Sequence, residues 1–424
     1  MTDVDFVLRN CGELVTPVGR EAQRGRRLGE LRRVEGAALV ARSGAIVAVG
    51  PERDVLRDVR RLSGCAEVDA GGRSVLPGFV DPHTHAVFGA ARAAEYAARL
   101  EGKSYVDIAA AGGGIHASVR DVRGRSEDEL VEISVPRLRR MLSHGTTTVE
   151  IKSGYGLRLE DELKMLRAVR RLVERVPQTL VPTFLGAHEL PPEHRASPRG
   201  RRDYVRLLVE EMIPAAAPLA EFNDVFCEPS VFTLEESEEI LRAGVAHGLR
   251  PKLHADEIEP YGGAELACRL EATSADHLMR VSERGVQALA QSRTVAVLLP
   301  GTSFGLALGE YAPARRLVEA GVAVALATDF NPGSCHCESM QAVLSLACSL
   351  LRLTPAEALV AATLNAAAAV GRAAQVGSLE PGKRCDLLVT HGRDYREVPF
   401  HFGVNNVRQV VAGGRLVWRD PESA

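Results

Sequence analysis

Polar and apolar positions change rhythm twice along this chain. Near the start, short apolar runs (Asp5-Phe6-Val7-Leu8-Arg9, Ala38-Leu39-Val40-Ala41, Ala45-Ile46-Val47-Ala48-Val49-Gly50, Ser74-Val75-Leu76) alternate with Gly-rich and charged turns, which predicts short strands. From about residue 78 to 369, β-type runs alternate with longer runs of helical spacing, the pattern of βα units around a parallel sheet. Candidate strands lie at 147–151, 179–185, 250–253, 272–275, 295–299 and 322–326, with one more leading into His83. Asp224-Val225-Phe226 reads as a further strand, an accessory one or a loop. Residues 160–173 and 235–247 show helical spacing, and the Ala-rich stretch 356–370 predicts a single closing helix. After Gly377 the strand-like text returns in Asp386-Leu387-Leu388-Val389, Val407-Arg408-Gln409-Val410-Val411 and Gly413-Gly414-Arg415-Leu416-Val417. The expected fold is therefore α/β: a (β/α)8 TIM-type barrel over 78–372, with a small β-sandwich domain built from both chain ends, 1–77 and 373–424.

Bulk composition narrows the function. The 424 residues are 46% hydrophobic and 25% charged, ordinary for a soluble globular protein with a large core. A net charge of −3 argues against nucleic acid or an anionic membrane as the main partner, and no apolar run reaches membrane-helix length. The acidic start, Met1-Thr2-Asp3-Val4-Asp5, lacks the pattern of a secretory signal. Eight scattered cysteines do not form a disulfide framework, so reduced thiols and a cytoplasmic location are expected. The basic stretch from Arg20 to Arg33 reads as a solvated loop or helix face.

The chemistry concentrates at predicted strand ends, where a barrel of this type keeps its catalytic groups. In Leu76-Pro77-Gly78-Phe79-Val80-Asp81-Pro82-His83-Thr84-His85, side-chain alternation points His83 and His85 the same way, giving half of a divalent metal site. His254 and Asp329 end later apolar runs and complete a candidate set of three imidazoles and a carboxylate, suited to one Zn²⁺ or Fe²⁺. Glu257, three residues past His254, suits proton delivery to a leaving nitrogen. His277, ending the next strand, suits orienting a water or stabilising an oxyanion, and Asp329 suits accepting a proton from water. Arg92, in a loop over the barrel mouth, suits a bidentate grip on a carboxylate. Tyr155 between two glycines reads as a ligand wall, and His188 as a hydrogen-bonding partner for a polar ring. Asn331, Gly333 and Ser334 fall in the Pro/Gly turn after Asp329, where polar groups and backbone N–H are expected to face the pocket. Strand-end Lys152 is of a kind that can be carboxylated to bridge two metals, but beside a complete mononuclear set it reads as a hydrogen-bonding lysine. Gly112-Gly113-Gly114 reads as a flexible loop, since no phosphate-loop pattern accompanies it.

These segments, with Glu150-Ile151-Lys152-Ser153-Gly154-Tyr155-Gly156-Leu157, Phe184-Leu185-Gly186-Ala187-His188, Leu299-Pro300-Gly301-Thr302 and Ala327-Thr328-Asp329-Phe330-Asn331-Pro332-Gly333-Ser334, resemble the imidazolonepropionase family of metal-dependent amidohydrolases over nearly the whole chain. The resemblance implies hydrolysis of the ring C–N bond of 4-imidazolone-5-propanoate to N-formimidoyl-L-glutamate in histidine degradation. It implies a single Zn²⁺ or Fe ion on His83, His85, His254 and Asp329. It implies substrate contacts from Arg92, Tyr155, His188, Glu257, Asn331, Gly333 and Ser334, and a homodimer. Two local departures stand out: Cys335-His336-Cys337 follows the Gly-Ser turn, where small polar residues are usual, and Ala90 replaces a usual Gly before Arg92. The rival readings are another amidohydrolase, such as an aminoazole or guanine deaminase, which needs no carboxylate anchor, and a non-catalytic barrel, which would be expected to lose ligands.

Overall fold

A computed structural model describes residues 2–103, 107, 112–195 and 197–423. Five strands come first: β1 (Thr2–Pro17), β2 (Leu31–Arg42), β3 (Ala45–Pro51), β4 (Val59–Asp69) and β5 (Ser74–Pro77). Eight more follow, β6 (Phe79–Asp81), β7 (Thr146–Lys152), β8 (Thr179–Ala187), β9 (Phe222–Cys227), β10 (Arg250–Ala255), β11 (Ser274–His277), β12 (Val295–Leu298) and β13 (Val324–Leu326), and the series ends with β14 (Leu387–Thr390), β15 (Val407–Ala412) and β16 (Arg415–Arg419).

Strands β6 to β13 pair in sequence order, every pair parallel, with helices between most of them. The ends of the series meet just past β6 and β13, where Thr84 bridges Phe330 in parallel. There the Asp329 N–H donates to the His83 carbonyl (3.1 Å) and the His85 N–H to the Phe330 carbonyl (2.8 Å). The seam that closes the barrel thus fixes three candidate ligands to one another through the backbone.

Helices cover the outer face of these strands, so both faces are buried and apolar runs dominate their sequence. The exceptions point inward. Glu150, Lys152, Asp224, Lys252 and Asp276 are all completely buried. They explain why Asp224-Val225-Phe226 looks accessory in the sequence: it lies in β9, a full barrel strand between β8 and β10, and the side-chain bonds of Asn223 and Asp224 go to other elements. The Asn223 amide donates to the Ile240 carbonyl (3.0 Å), and Lys152 Nζ donates to Asp224 (2.7 Å).

The expected closing helix is two helices, Pro355–Ala361 and Leu364–Ala369, separated at Thr363, whose backbone leaves the helical region (φ −128°, ψ −90°). The break lets Asn365 reach outward: its side chain accepts from the Gln23 N–H and donates to the Gln23 and Val324 carbonyls. One arginine of the basic stretch is likewise structural rather than solvated, because Arg24 donates to the carbonyls of Gly321, Leu289 and Ala290.

The strands from both ends form one hydrogen-bonded sheet in the order β16-β15-β14-β5-β1-β2-β3, with β4 on β1. It rolls around its own apolar core (Phe6, Leu8, Leu39, Val75, Leu387, Val411 and neighbours), until Ala45 at the start of β3 bridges Arg384. The strands of this sheet are longer than the apolar runs suggest, because charged residues continue them. β4 was not legible at all: most of it is exposed, and ion pairs such as Arg60–Asp3 and Arg9–Glu67 tie it to β1.

Candidate metal centre and active site

His83, His85, His254 and Asp329 converge at the C-terminal mouth of the barrel. Ligand nitrogens of the three histidines lie within 4.8 Å of one another. Asp329 Oδ1 is 3.6 Å from Nε2 of both His83 and His85. Asp329 sits in the left-handed backbone region (φ 53°), uncommon for a residue with a Cβ, and its other oxygen accepts from Thr302 Oγ1 (2.5 Å). Strain and hydrogen bond together turn its free oxygen toward the imidazoles.

Buried polar atoms without partners are rare in native proteins. Nε2 of His83 and Nε2 of His254 are buried and have no hydrogen-bond partner among the described residues. The opposite nitrogen of each ring is held by a carboxylate: His83 Nδ1 lies 2.6 Å from Asp276, and His254 Nδ1 lies 3.2 Å from Asp224. An ionised carboxylate only accepts, so each ring carries its proton on Nδ1 and turns the Nε2 lone pair inward. Burial holds His83 and His85 well below the usual imidazole range, hence neutral as ligands must be. At His254 burial acts the same way, but the Asp224 carboxylate outweighs it and raises the pKa. The donor set fits a divalent ion.

Asp224 and Asp276 are in turn linked by Lys152, whose Nζ lies 2.7 Å from Asp224, 2.8 Å from Glu150 and 3.6 Å from Asp276. Burial opposes its charge, yet the three carboxylates prevail and raise its pKa. Sequence reasoning assigned no role to Asp224, Asp276, Glu150 or Thr302. For the three carboxylates the available signal is charge inside strands that must be buried, which demands a partner; Thr302, in the helix Pro300–Gly305, carries no such signal.

A cavity of about 170 Å³ opens above the histidines. It is lined by His85, Arg92, Tyr155, His188, Glu257, His277, Asp329, Asn331 and Ser334, together with Ile115, Glu189 and Phe226. The His188 ring stacks parallel to His85 (centroids 4.9 Å apart, planes at 9°), with its Nδ1 3.0 Å from the Gly154 carbonyl. Tyr155 leans on both rings. Glu257 lies 3.4 Å from His277 Nδ1. Burial, reinforced by the nearby Asp329 charge, pushes its carboxyl up to about 8. Burial likewise pushes Asp329 up to about 6.

Arg92 reaches the cavity from the residue before the helix Ala93–Leu100. Its Nη1 donates to Ser118 (2.9 Å) and its Nε pairs with Glu95 (3.2 Å). Gly333 is packed against that guanidinium so closely that a Cβ there would fall 1.6 Å from Nη2. The expectation for the Asn331 turn changes in detail. The Gly333 and Ser334 N–H groups do not face the pocket but donate to Asn331 Oδ1 (2.8 Å each), and the Asn331 amide donates to the Asp329 carbonyl and Ser334 Oγ (2.7 Å each). Asn331 lines the cavity while its own bonds organise the turn.

Buried carboxylates organise the other rim loops in the same way. Glu162 accepts from the N–H groups of Gly154, Gly156 and Leu157, setting the Tyr155 loop. Glu228 accepts from Glu257, Ile258 and Glu259, setting the Glu257 loop. Cys335 and Cys337 are free thiols; the Cys335 N–H donates to Asn331 Oδ1 (3.4 Å), the Cys337 thiol lies 3.6 Å from the Ser339 carbonyl, and Ala90 donates its N–H to Asp121 (2.9 Å).

Residues 269–417 match the model of the amidohydrolase family. Over 420 residues, 98% of each chain, this protein is 51% identical to the imidazolonepropionase of Symbiobacterium thermophilum. It is 49% identical to that of Geobacillus kaustophilus (97% of this chain, 98% of the relative) and 46% identical to that of Porphyromonas gingivalis (98% of each). Among solved structures, it resembles an adenosine deaminase from Xanthomonas campestris with bound zinc (TM-score 0.71, 19% identity, 98% of this chain and 93% of that one). Escherichia coli guanine deaminase is similar to a comparable degree (TM-score 0.70, 16% identity, 98% and 99%). At such identities these two carry the fold alone.

Proposed function

Because the chain belongs to the imidazolonepropionase family of amidohydrolases, we infer that it hydrolyses the ring C–N bond of 4-imidazolone-5-propanoate, giving N-formimidoyl-L-glutamate in histidine degradation. The observation that carries the site reading is the pair of buried, partnerless Nε2 atoms on His83 and His254, facing Asp329 and His85 beneath a cavity that also admits Glu257 and Arg92.

In our reading His83, His85, His254 and Asp329 would hold one divalent ion, zinc or iron, either of which suits this donor set. Bound there, it supplies Lewis acidity toward a water and a carbonyl oxygen. Asp329, its Oδ2 held by Thr302, accepts the proton from the attacking water. Glu257 starts protonated in its buried site and delivers that proton to the leaving ring nitrogen. His277, 3.4 Å from Glu257, stabilises charge developing on the carbonyl oxygen. Arg92 anchors the propanoate, so binding energy remote from the ring places the carbonyl for attack. Tyr155 and His188 wall the ring, and the Asn331-Gly333-Ser334 turn shapes the anchor end.

We place the enzyme in the cytoplasm as a homodimer; eight free cysteines support the first, and family membership the second. None of the helices is long and apolar enough to cross a membrane, among the described residues. The deciding experiment follows ultraviolet loss of freshly generated imidazolone propanoate with and without a chelator. Fast, chelator-sensitive loss yielding formimidoyl-glutamate is expected, and a metal-loaded protein that leaves the compound intact would sink the assignment.

A further inference from the structure

We propose that Lys152 is a positioning residue for the metal centre: one buried ammonium draws together the two carboxylates that aim His83 and His254. Asp276 holds His83 at 2.6 Å and Asp224 holds His254 at 3.2 Å. These two acids come from different strands, β9 and β11, which the barrel ladder sets on either side of β10 without pairing them to each other. Lys152 Nζ stands 2.7 Å from Asp224 and 3.6 Å from Asp276, and all three side chains have no exposed surface. Water is therefore not available to screen the repulsion between the carboxylates, and the ammonium offsets it for both at once, while the Ser274 hydroxyl donates to the other oxygen of Asp276 (2.5 Å). Glu150, 2.8 Å from Lys152, completes the ammonium's surroundings and touches neither histidine. The other buried lysine, Lys252, also favours the Asp276 charge, but it makes its own contacts elsewhere, 3.4 Å from Glu150 and donating to the Pro82 and Ala369 carbonyls, and pairs with neither aspartate. Lys152 thus makes the aim of two ligands one property instead of two.

This inference rests on the reading that His83 and His254 hold the ion, and the test separates the two. Cobalt(II) is titrated into metal-free wild type, Lys152→Met and Glu150→Gln, following the visible ligand-field band, with Tm recorded for each. A band in wild type is required by the site reading, and its absence would sink that reading itself. Lys152→Met is expected to weaken cobalt binding by about tenfold or more, the effect typical of lost outer support, and to shift the band. Glu150→Gln, which disturbs the same buried cluster, is expected to keep both nearly unchanged. Equal losses in the two variants, or none in Lys152→Met, would overturn the proposal. Should Lys152→Met fail to fold, wild-type holoenzyme grown and measured with ¹³C-bicarbonate gives a second answer. A carbamate signal on Lys152 would overturn the proposal, since a carboxylated lysine is an anion that cannot bridge two carboxylates; an uncarboxylated ammonium supports it.

Discussion

His83 Nδ1 and Asp276 Oδ2 stand 2.6 Å apart, with neither side chain exposed to any extent. At that distance and burial the bond is charge-assisted, and it settles which nitrogen of His83 carries the proton. The free lone pair on Nε2 then faces the same point as His254, His85 and Asp329. The tautomer of a proposed ligand is thereby chosen by a residue outside the proposed ligand set.

Asp276→Asn tests this dependence. The amide keeps the size of the carboxylate but loses the charge, and it can present an N–H where the ring needs an acceptor. Metal affinity is expected to fall about 10- to 100-fold. Competition against a chromophoric chelator measures it, and an unchanged affinity would make the contact incidental.

Glu257→Gln removes the proposed proton donor and leaves the proposed ligands alone. We expect kcat to fall roughly 10²- to 10⁴-fold, with metal content by elemental analysis held at the wild-type ratio. Turnover at the wild-type rate would take Glu257 out of the mechanism.

Arg92→Ala should act on the far end of the substrate. Loss of a charge-assisted bond costs about 1.5–3 kcal/mol, so kcat/KM is expected to fall by roughly 10- to 100-fold. The comparison that matters is with an imidazolone lacking the carboxylate, which the variant should process as well as wild type does. Equal losses on both compounds would contradict an anchoring role.

Gly333→Ala reaches the same group from the other side. Its Cβ would fall 1.6 Å from Arg92 Nη2, so the guanidinium must shift. KM for imidazolone propanoate should rise while metal content and Tm stay near wild type. A variant with unaltered KM would show that Arg92 has room to spare.

Glu193 gives a prediction about acid stability. Burial raises its pKa, but Arg123 and Arg158 at 2.7–3.3 Å outweigh that and hold it near about 2. A carboxyl with a depressed folded pKa stabilises the fold fully above its ordinary value of about 4.5, and that contribution fades as pH falls toward about 2. With a third of the side chain exposed, screening limits the effect to about 1 kcal/mol. Urea unfolding of wild type and Glu193→Gln should differ by that much near neutrality and converge in acid. A gap that persists at low pH would assign the difference to packing.

Reading the chain by itself recovered what lies at strand ends and missed what lies inside strands. His83 and His85 were legible because alternation alone makes them neighbours, and Asp329 because it ends an apolar run. Asp224 and Asp276 were not, since their partners sit on other strands and nothing linear connects Lys152 in β7 to β9 and β11. β9 looked doubtful because its polar residues contradict the apolar habit of parallel strands. β4 is illegible because the apolar residues it packs into the cores, Val59, Cys65 and Val68, are sparse among charged ones, and its backbone pairing with β1 leaves no linear trace.

The Thr390 hydroxyl donates to the Ser74 carbonyl, joining β14 to β5 across 316 positions of chain. On a ribosome adding about 5–20 residues per second, tens of seconds separate the emergence of those two strands. Through that interval the β5 edge has no β14 to cover it, and an uncovered edge invites other strands. The whole barrel can assemble while its small companion waits half-made. Nascent chains should therefore acquire protease resistance in two stages, the barrel first and the first 77 residues only near release, and stalling translation before β14 should leave the amino-terminal segment a client for chaperones.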